Sequence, residues 1–255
     1  MNIRFLGTHM YESNSTRLTS ILIDDELAVD AGGLTSSLSF TEQERINNIL
    51  LTHGHYDHIR DIPAIALKNQ NRTINIYATK STLDILLTHL INGIVYPAFA
   101  EWPSPERPSL KLESIAPYET VQVAQYNVLA VPVSHAIPAV GYQITDPRGR
   151  AVFFSGDTGP GLETCWEYIN PQVMIIETAF SNKSSDTAIK PGHLCPGLLE
   201  KELAVFRKLH GYLPKVFLIH MDPAVEGEIE REAIQAGQRL DIEITLARED
   251  MVIEV

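Results

Sequence analysis

Apolar residues fall along this chain in short runs separated by polar turns. The runs at Ile3–Leu6, Ser20–Ile23, Leu27–Asp30, Asn48–Leu51, Ile74–Tyr77, Val128–Val133, Ala151–Ser155, Val173–Ile176, Val216–Ile219 and Ile242–Leu246 read as β-strands. Several are apolar throughout, the pattern of strands covered on both faces. Helical signals lie between them. Ser81-Thr-Leu-Asp84 has the form of a capping box, and Leu83, Leu86, Leu87 and Leu90 follow on one face. Leu199, Leu203 and Phe206 make a second stripe. Asp222 and Pro223 offer an N-cap and a first-turn proline for a helix expected to reach Ala236 and stop at Gly237. Strands leading and helices following in each half predict two sheets packed face to face, with helices outside. Tyr96–Pro108 (YPAFAEWPSPERP) follows no period and is expected to be irregular, either a plain surface loop or a lid over a pocket.

Length and charge narrow this picture. The 255 residues suffice for one layered domain spanning 1–255. The net charge of −12 argues against a large nucleic-acid surface, because affinity for a polyanion comes mostly from Lys and Arg. A small anionic substrate stays open, since bound divalent cations reverse the field locally. The two cysteines, Cys165 and Cys195, form no C-x-x-C pair, which suits reduced thiols. The opening MNIRFLGTH lacks the form of a secretory signal, and no apolar run is long enough to span a membrane. The expectation is a cytoplasmic protein.

The chemistry is concentrated after the apolar run Asn48–Leu51. His53-Gly-His55-Tyr-Asp57-His58 places three imidazoles and a carboxylate in one tight stretch, donors that suit Zn²⁺, Mn or Fe. Gly54 lets the backbone turn closely between the first two. A single loop cannot complete two metal sites, so further ligands are expected at other strand ends. His135, Asp157 (in FFSGDTGP) and His220 (in VFLIHMDP) each follow an apolar run, where ligands gather in layered α/β proteins.

This order of motifs, with LGT at the start and VDAGG at Val29–Gly33, resembles the metallo-β-lactamase superfamily. The resemblance implies a four-layer αββα sandwich of α/β (α+β) class, with the site at one edge of the sheets. It implies two divalent metal ions, zinc by preference. His53, His55 and His135 would hold one, Asp57, His58 and His220 the other, and Asp157 would bridge them, with a shared hydroxide between cations about 3.5–4 Å apart.

Three further stretches resemble the class II cyclic-nucleotide phosphodiesterases: Thr88–Pro97, Val133–His135 with the later FFSGDTGP, and Ile176–Phe180 with Gly192–Pro196. Tyr56 stands where that family prefers Leu, and Tyr96 where it prefers Trp. The implied reaction is hydrolysis of cAMP or cGMP to the 5′-monophosphate. Asp57 would orient the hydroxide, and His193 would give a proton to the leaving oxygen. Within the same fold, a tRNA 3′-processing endonuclease and a thioester or lactone hydrolase remain alternatives. A metal-binding protein without catalysis is a further one. Diiron redox modules usually carry Glu where His55 stands. The expected partner is a small phosphodiester, with a homodimer as the default assembly. His9 reads as a surface residue or a support behind the site, with a pocket-facing position as the alternative; His89 reads as structural, His210 as a helix-end cation favoured by the dipole, Glu177 and Thr178 as supports for the ligand imidazoles, and Cys195 as a small buried residue. Tyr96, Phe99 and Trp102 could stack on a purine or simply pack their loop.

Overall fold

The apolar runs pair into two seven-stranded sheets in the computed structural model, which describes residues 1–255. The first sheet runs, in spatial order, Val252–Glu254, Asn2–Gly7, Ser20–Ile23, Leu27–Val29, Asn48–Leu50, Ile74–Ala78, Leu110–Ser114. Its pairings are antiparallel as far as Leu27–Val29 and parallel beyond it. The second sheet runs Ile244–Leu246, Lys215–Ile219, Val173–Glu177, Ala151–Phe154, Val140–Thr145, Tyr126–Pro132, Thr120–Val123. There the first four strands are parallel and the last four antiparallel.

Side chains alternate across each strand, so neighbours in sequence enter different cores. Leu50 and Ile175 point between the sheets, where Phe5, Val29, Tyr142, Phe154 and Phe217 also lie. Ile49 points outward onto Ile62, Ile65 and Ala66 of the helix Ile62–Lys68. Ile176 points outward to the opposite layer, with Leu199, Leu203 and Phe206 of Pro196–His210 and Ile229 and Ala233 of Glu226–Leu240. Three apolar cores between four layers are the αββα sandwich. Each fully buried Leu, Ile or Phe contributes roughly 1.5–3 kcal/mol to holding it.

The parallel strands carry the chain to one rim. Leu27–Val29 delivers Asp30, Asn48–Leu50 delivers Thr52 and His53, Ala151–Phe154 delivers Asp157, and Lys215–Ile219 delivers His220.

Local readings differ in four places. The helix after Ala78 spans Lys80–Ile85 with Thr79 at the N-cap position, so Ser81 lies inside the first turn and forms no capping box. It continues as a π-helical turn, Leu86–Leu90. Asp222 and Pro223 form a turn in which the Asp222 carboxylate accepts the Ala224 N–H at 2.9 Å, and the helix starts only at Glu226. That helix runs through Gly237 to Leu240. A Cβ on Gly237 would sit 2.6 Å from the Ile242 carbonyl oxygen, so this glycine serves close packing and not termination. Within Tyr96–Pro108 there is a regular element after all: Pro103–Ser104 pairs antiparallel with Arg107–Pro108. Phe99 of that segment is fully buried under the first sheet, with Trp102 edge-on to it at 5.8 Å. Both rings are therefore engaged in packing their own loop. No helix is long and apolar enough to cross a membrane.

Candidate metal centre

The rim gathers all seven expected ligand side chains into two groups that share one residue. His53, His55, His135 and Asp157 form one group, and Asp57, His58, Asp157 and His220 the other, the donor atoms of each lying within 4.8 Å of one another. Asp157 stands at the centre. Its Oδ1 is 3.1 Å from His58 Nε2, and its Oδ2 is 3.3 Å from His220 Nε2, 3.6 Å from His53 Nε2 and 3.9 Å from His135 Nε2. Asp57 Oδ2 is 3.5 Å from His58 Nε2 and 4.0 Å from His220 Nε2. His55 presents Nδ1, 3.1 Å from His135 Nε2.

The backs of the imidazoles are held. His58 Nδ1 donates to Asp30 at 2.7 Å, and His135 Nδ1 donates to the Gly192 carbonyl at 3.0 Å. His220 Nδ1 meets the Thr19 hydroxyl at 2.8 Å. His53 Nδ1 meets the Thr52 hydroxyl at 3.0 Å, and that hydroxyl donates to Asp30. One carboxylate thus steadies an imidazole of each group. Occupying Nδ1 leaves Nε2 as the donor atom toward a cation, the usual way such rings are aimed. Two of the residues involved, Asp30 at φ 58° and His220 at φ 60°, adopt the left-handed backbone region, where strain is often kept for function. Gly192 is also left-handed, and a Cβ there would lie 2.7 Å from the His135 Cα. Gly54 serves a close approach as well, since a Cβ would meet the Ile85 side chain at 2.5 Å.

The donor set fits divalent cations. His53 Nε2, His58 Nε2 and Asp157 Oδ1 are buried and have no hydrogen-bond partner in the protein, a costly state that a metal relieves. Burial, then the neighbouring imidazoles, hold His53 well below the usual histidine range, in the neutral form that ligates. Burial alone would raise Asp157, but His220 and His58 outweigh it and hold the carboxyl well below its usual range.

His193 lies against the same cluster, its ring stacked on His220 at 5.6 Å and edge-on to His135 at 5.2 Å. Its Nδ1 donates to Glu177 at 2.6 Å. Glu177 is fully buried and also accepts the backbone N–H groups of Thr158, Ala179 and Leu194. The structure therefore has Glu177 holding His193, where the sequence reading gave it to the ligand imidazoles. Burial opposes the charged imidazole, but the Glu177 carboxylate wins and pushes His193 up to about 9.

The remaining histidines lie apart from this cluster. His9 is buried between Glu249 and Glu226, His89 is exposed, and His210 donates from Nε2 to the Trp166 carbonyl at 2.8 Å. Cys195 is buried, and Thr178 donates its hydroxyl to the Glu177 carbonyl. Asp30, Thr52 and Thr19 escaped the sequence reading. Asp30 carried the signal that singled out Asp157, a carboxylate just past a buried strand.

Residues 21–221 match the family model described as beta-lactamase superfamily domain. The chain belongs to this superfamily. Among superfamily relatives, a Yersinia pestis protein described as a probable 3′,5′-cyclic-nucleotide phosphodiesterase is 25% identical over 232 residues. The match covers 80% of this chain and 66% of that protein, so the chain spans just under two thirds of that relative's length. A ribonuclease Z of Methanococcus maripaludis is 30% identical over 162 residues, 58% of this chain and 51% of the relative. The crystal structure of unliganded yeast PDE1 superposes over 100% of this chain and 99% of its own, with a TM-score of 0.87 and 18% identity. At that identity the superposition speaks for the shared fold.

Proposed function

We propose that the chain is a dinuclear metal-dependent phosphodiesterase that hydrolyses 3′,5′-cyclic nucleotides to 5′-nucleoside monophosphates. The observation that carries it is the pair of ligand groups meeting at Asp157, with His193 locked beside them by Glu177. The cyclic-nucleotide substrate rests on the likeness to the Yersinia pestis relative, which extends over 80% of this chain. His53, His55, His135 and Asp157 would hold one cation, and Asp57, His58, His220 and Asp157 the second. When bound, two such cations supply Lewis acidity toward phosphoryl oxygens and acidify water; membership of the superfamily favours zinc, and manganese or iron use the same ligands.

The chain's own groups supply the rest. Asp57 keeps 29% of its side chain exposed, which lets its carboxylate orient the attacking water and accept its proton. His193 is held by Nδ1, so its other ring nitrogen carries the proton for the leaving group. Water adds to phosphorus, the P–O3′ bond breaks, and the Nε2 proton passes to the 3′ oxygen. Glu177 offsets the imidazolium charge before transfer and keeps the ring in place. The reading takes the protein to act in the cytoplasm, a setting that suits its two unpaired, buried cysteines, and as a homodimer, the default assembly.

A tRNA 3′-processing activity is the second reading, favoured by the ribonuclease Z likeness over 58% of the chain. The net charge of −12 weighs against it. The deciding experiment incubates metal-loaded protein with cAMP, cGMP and a precursor tRNA, with and without chelator. Chelator-sensitive release of 5′-AMP or 5′-GMP is the expected result. Cleaved tRNA with intact cyclic nucleotides would overturn the reading in favour of the second.

A further inference from the structure

A cavity of about 520 Å³ adjoins the metal centre, and His135 forms part of its wall. The rest of the wall comes from two places on the same rim. Thr79 and Ser81 follow the strand Ile74–Ala78, Pro132 ends the strand Tyr126–Pro132, and Ile137 belongs to the connection from there to Val140–Thr145. The volume falls within the roughly 300–1,000 Å³ of small-molecule sites, and the lining is of their kind, apolar with a few placed polar groups. The hydroxyls of Thr79 and Ser81 are 2.9 Å apart. Lys80, also in the wall, is already paired with Asp84 at 2.7 Å.

Access to the metal centre is one-sided. The side chains of His58, His220 and Asp157 are 0%, 2% and 3% exposed, against 29% for Asp57. His55 is half-buried. A phosphodiester must therefore approach along His55 and Asp57. His135 contacts His55 on that side, so whatever is attached to the phosphate has the cavity beside it. Phe99 and Trp102 of the Tyr96–Pro108 segment do not compete for this role, because Phe99 is buried and Trp102 packs upon it.

We infer that this cavity is the nucleobase subsite, with Ile137 and Pro132 packing the face of the base and the Thr79 and Ser81 hydroxyls meeting its polar edge. The inference rests on the phosphodiesterase reading and adds a position to it. A base presents a flat apolar face whatever its edge carries, so aliphatic side chains at van der Waals distance give affinity. The contact forms in the ground state and persists in the transition state. It is uniform binding, which lowers KM and leaves kcat alone.

Two measurements test it. The first compares Ile137→Asp with wild type and Ile137→Leu in cAMP hydrolysis. Ile137→Asp is expected to raise KM by at least about tenfold while kcat moves by less than about threefold, and Ile137→Leu to restore KM. An Ile137→Asp KM within about twofold of wild type overturns the subsite and leaves the phosphodiesterase reading standing. The second uses ¹³C-methyl-labelled isoleucine in the zinc-loaded protein and titrates 5′-AMP. The Ile137 methyl resonances are expected to shift, and this readout needs no turnover. Unmoved Ile137 methyls, with shifts at isoleucines elsewhere, overturn the subsite. Shifted Ile137 methyls in a protein that hydrolyses no cyclic nucleotide support the subsite and remove only the proposed reaction.

Discussion

Asp30 shows how much a single residue can carry at this site. Its Oδ2 accepts His58 Nδ1 at 2.7 Å and the Thr52 hydroxyl at 2.9 Å, and its Oδ1 accepts the Thr52 N–H at 2.9 Å. Through Thr52 it reaches His53, so one carboxylate aims an imidazole of each ligand group. Asp30→Ala is expected to weaken metal affinity by about 10–100-fold, measured by competition with a chromophoric chelator. Asp157→Ala should do more, because Asp157 belongs to both groups; protein that still binds two metals and turns over normally would contradict its shared role. His193→Ala should keep its metals, counted by mass spectrometry, and lose about 10²–10⁴-fold in kcat on cAMP. The loss should shrink on a p-nitrophenyl ester, whose leaving group needs no proton. An equal loss on both substrates would mean that His193 positions substrate and is not chiefly an acid. At this scale the sequence was legible wherever a candidate ligand followed an apolar run. The supporting residues were harder to see, because Thr19 and Thr52 are ordinary threonines until the fold puts them behind an imidazole.

At the scale of elements, legibility followed burial. Strands covered on both faces, such as Ala151–Phe154 and Val173–Glu177, are buried throughout and, up to the terminal Glu177, apolar. Of the edge strands, Ile244–Leu246 was legible, but two others read poorly. Thr120–Val123 (TVQV) has one fully buried side chain, and Val252–Glu254 has none, so neither offers a run of apolar residues. Helix ends misled for a different reason. Gly237 looks like a stop until the Ile242 carbonyl against its missing Cβ is considered, a contact set by the connection into Ile244–Leu246 and not by the helix. An ion pair lies just before the C-terminal strand. His9, just past the first strand, donates to Glu249 at 2.7 Å and faces Glu226 at 3.5 Å from the start of Glu226–Leu240. Burial works against a charged His9, but Glu249 overcomes it and raises His9 above 6.5. Burial likewise works against charge on Glu249, yet His9 and the Arg17 N–H lower it below 4.5. A raised histidine stabilises fully below its unfolded pKa and loses that contribution as pH climbs through the folded value. A lowered carboxyl stabilises above its unfolded pKa and loses it as pH falls through the folded one. The pair therefore contributes fully between 4.5 and 6.5. His9→Gln should cost more in Tm at about pH 6 than at about pH 9, in thermal melts monitored by circular dichroism. Equal losses at both values would show that His9 acts through packing alone.

For the whole molecule, the candidate metal centre lies on a seam. His53, His55, Asp57 and His58 follow Asn48–Leu50 of the first sheet, while His135, Asp157 and His220 follow strands of the second. Each ligand group draws from both sheets. Cations held there would tie the two halves of the sandwich together at the rim, where apolar packing gives way to buried imidazoles and carboxylates. The interior between the sheets is otherwise apolar, built from residues such as Phe5, Tyr142 and Phe217. Metal is therefore not expected to hold the core. It is expected to hold the rim, where Asp157 and His58 bury polar atoms that have no protein partner. A ligand that binds only the folded state stabilises it by RT ln(1 + [L]/Kd), about 4 kcal/mol at a thousandfold excess over Kd. Stripping the protein with a chelator should accordingly lower Tm by several degrees, and adding back zinc should restore it in a concentration-dependent way. Hydrogen exchange should locate the change. Amides around Thr52–Asp61, Ser155–Thr158 and His220–Asp222 should lose protection on metal removal, while those of Val173–Glu177 between them keep theirs. Uniform loss across both sheets would mean that the cations hold the core as well as the rim, and an unchanged Tm would mean that the seam is closed by the protein alone.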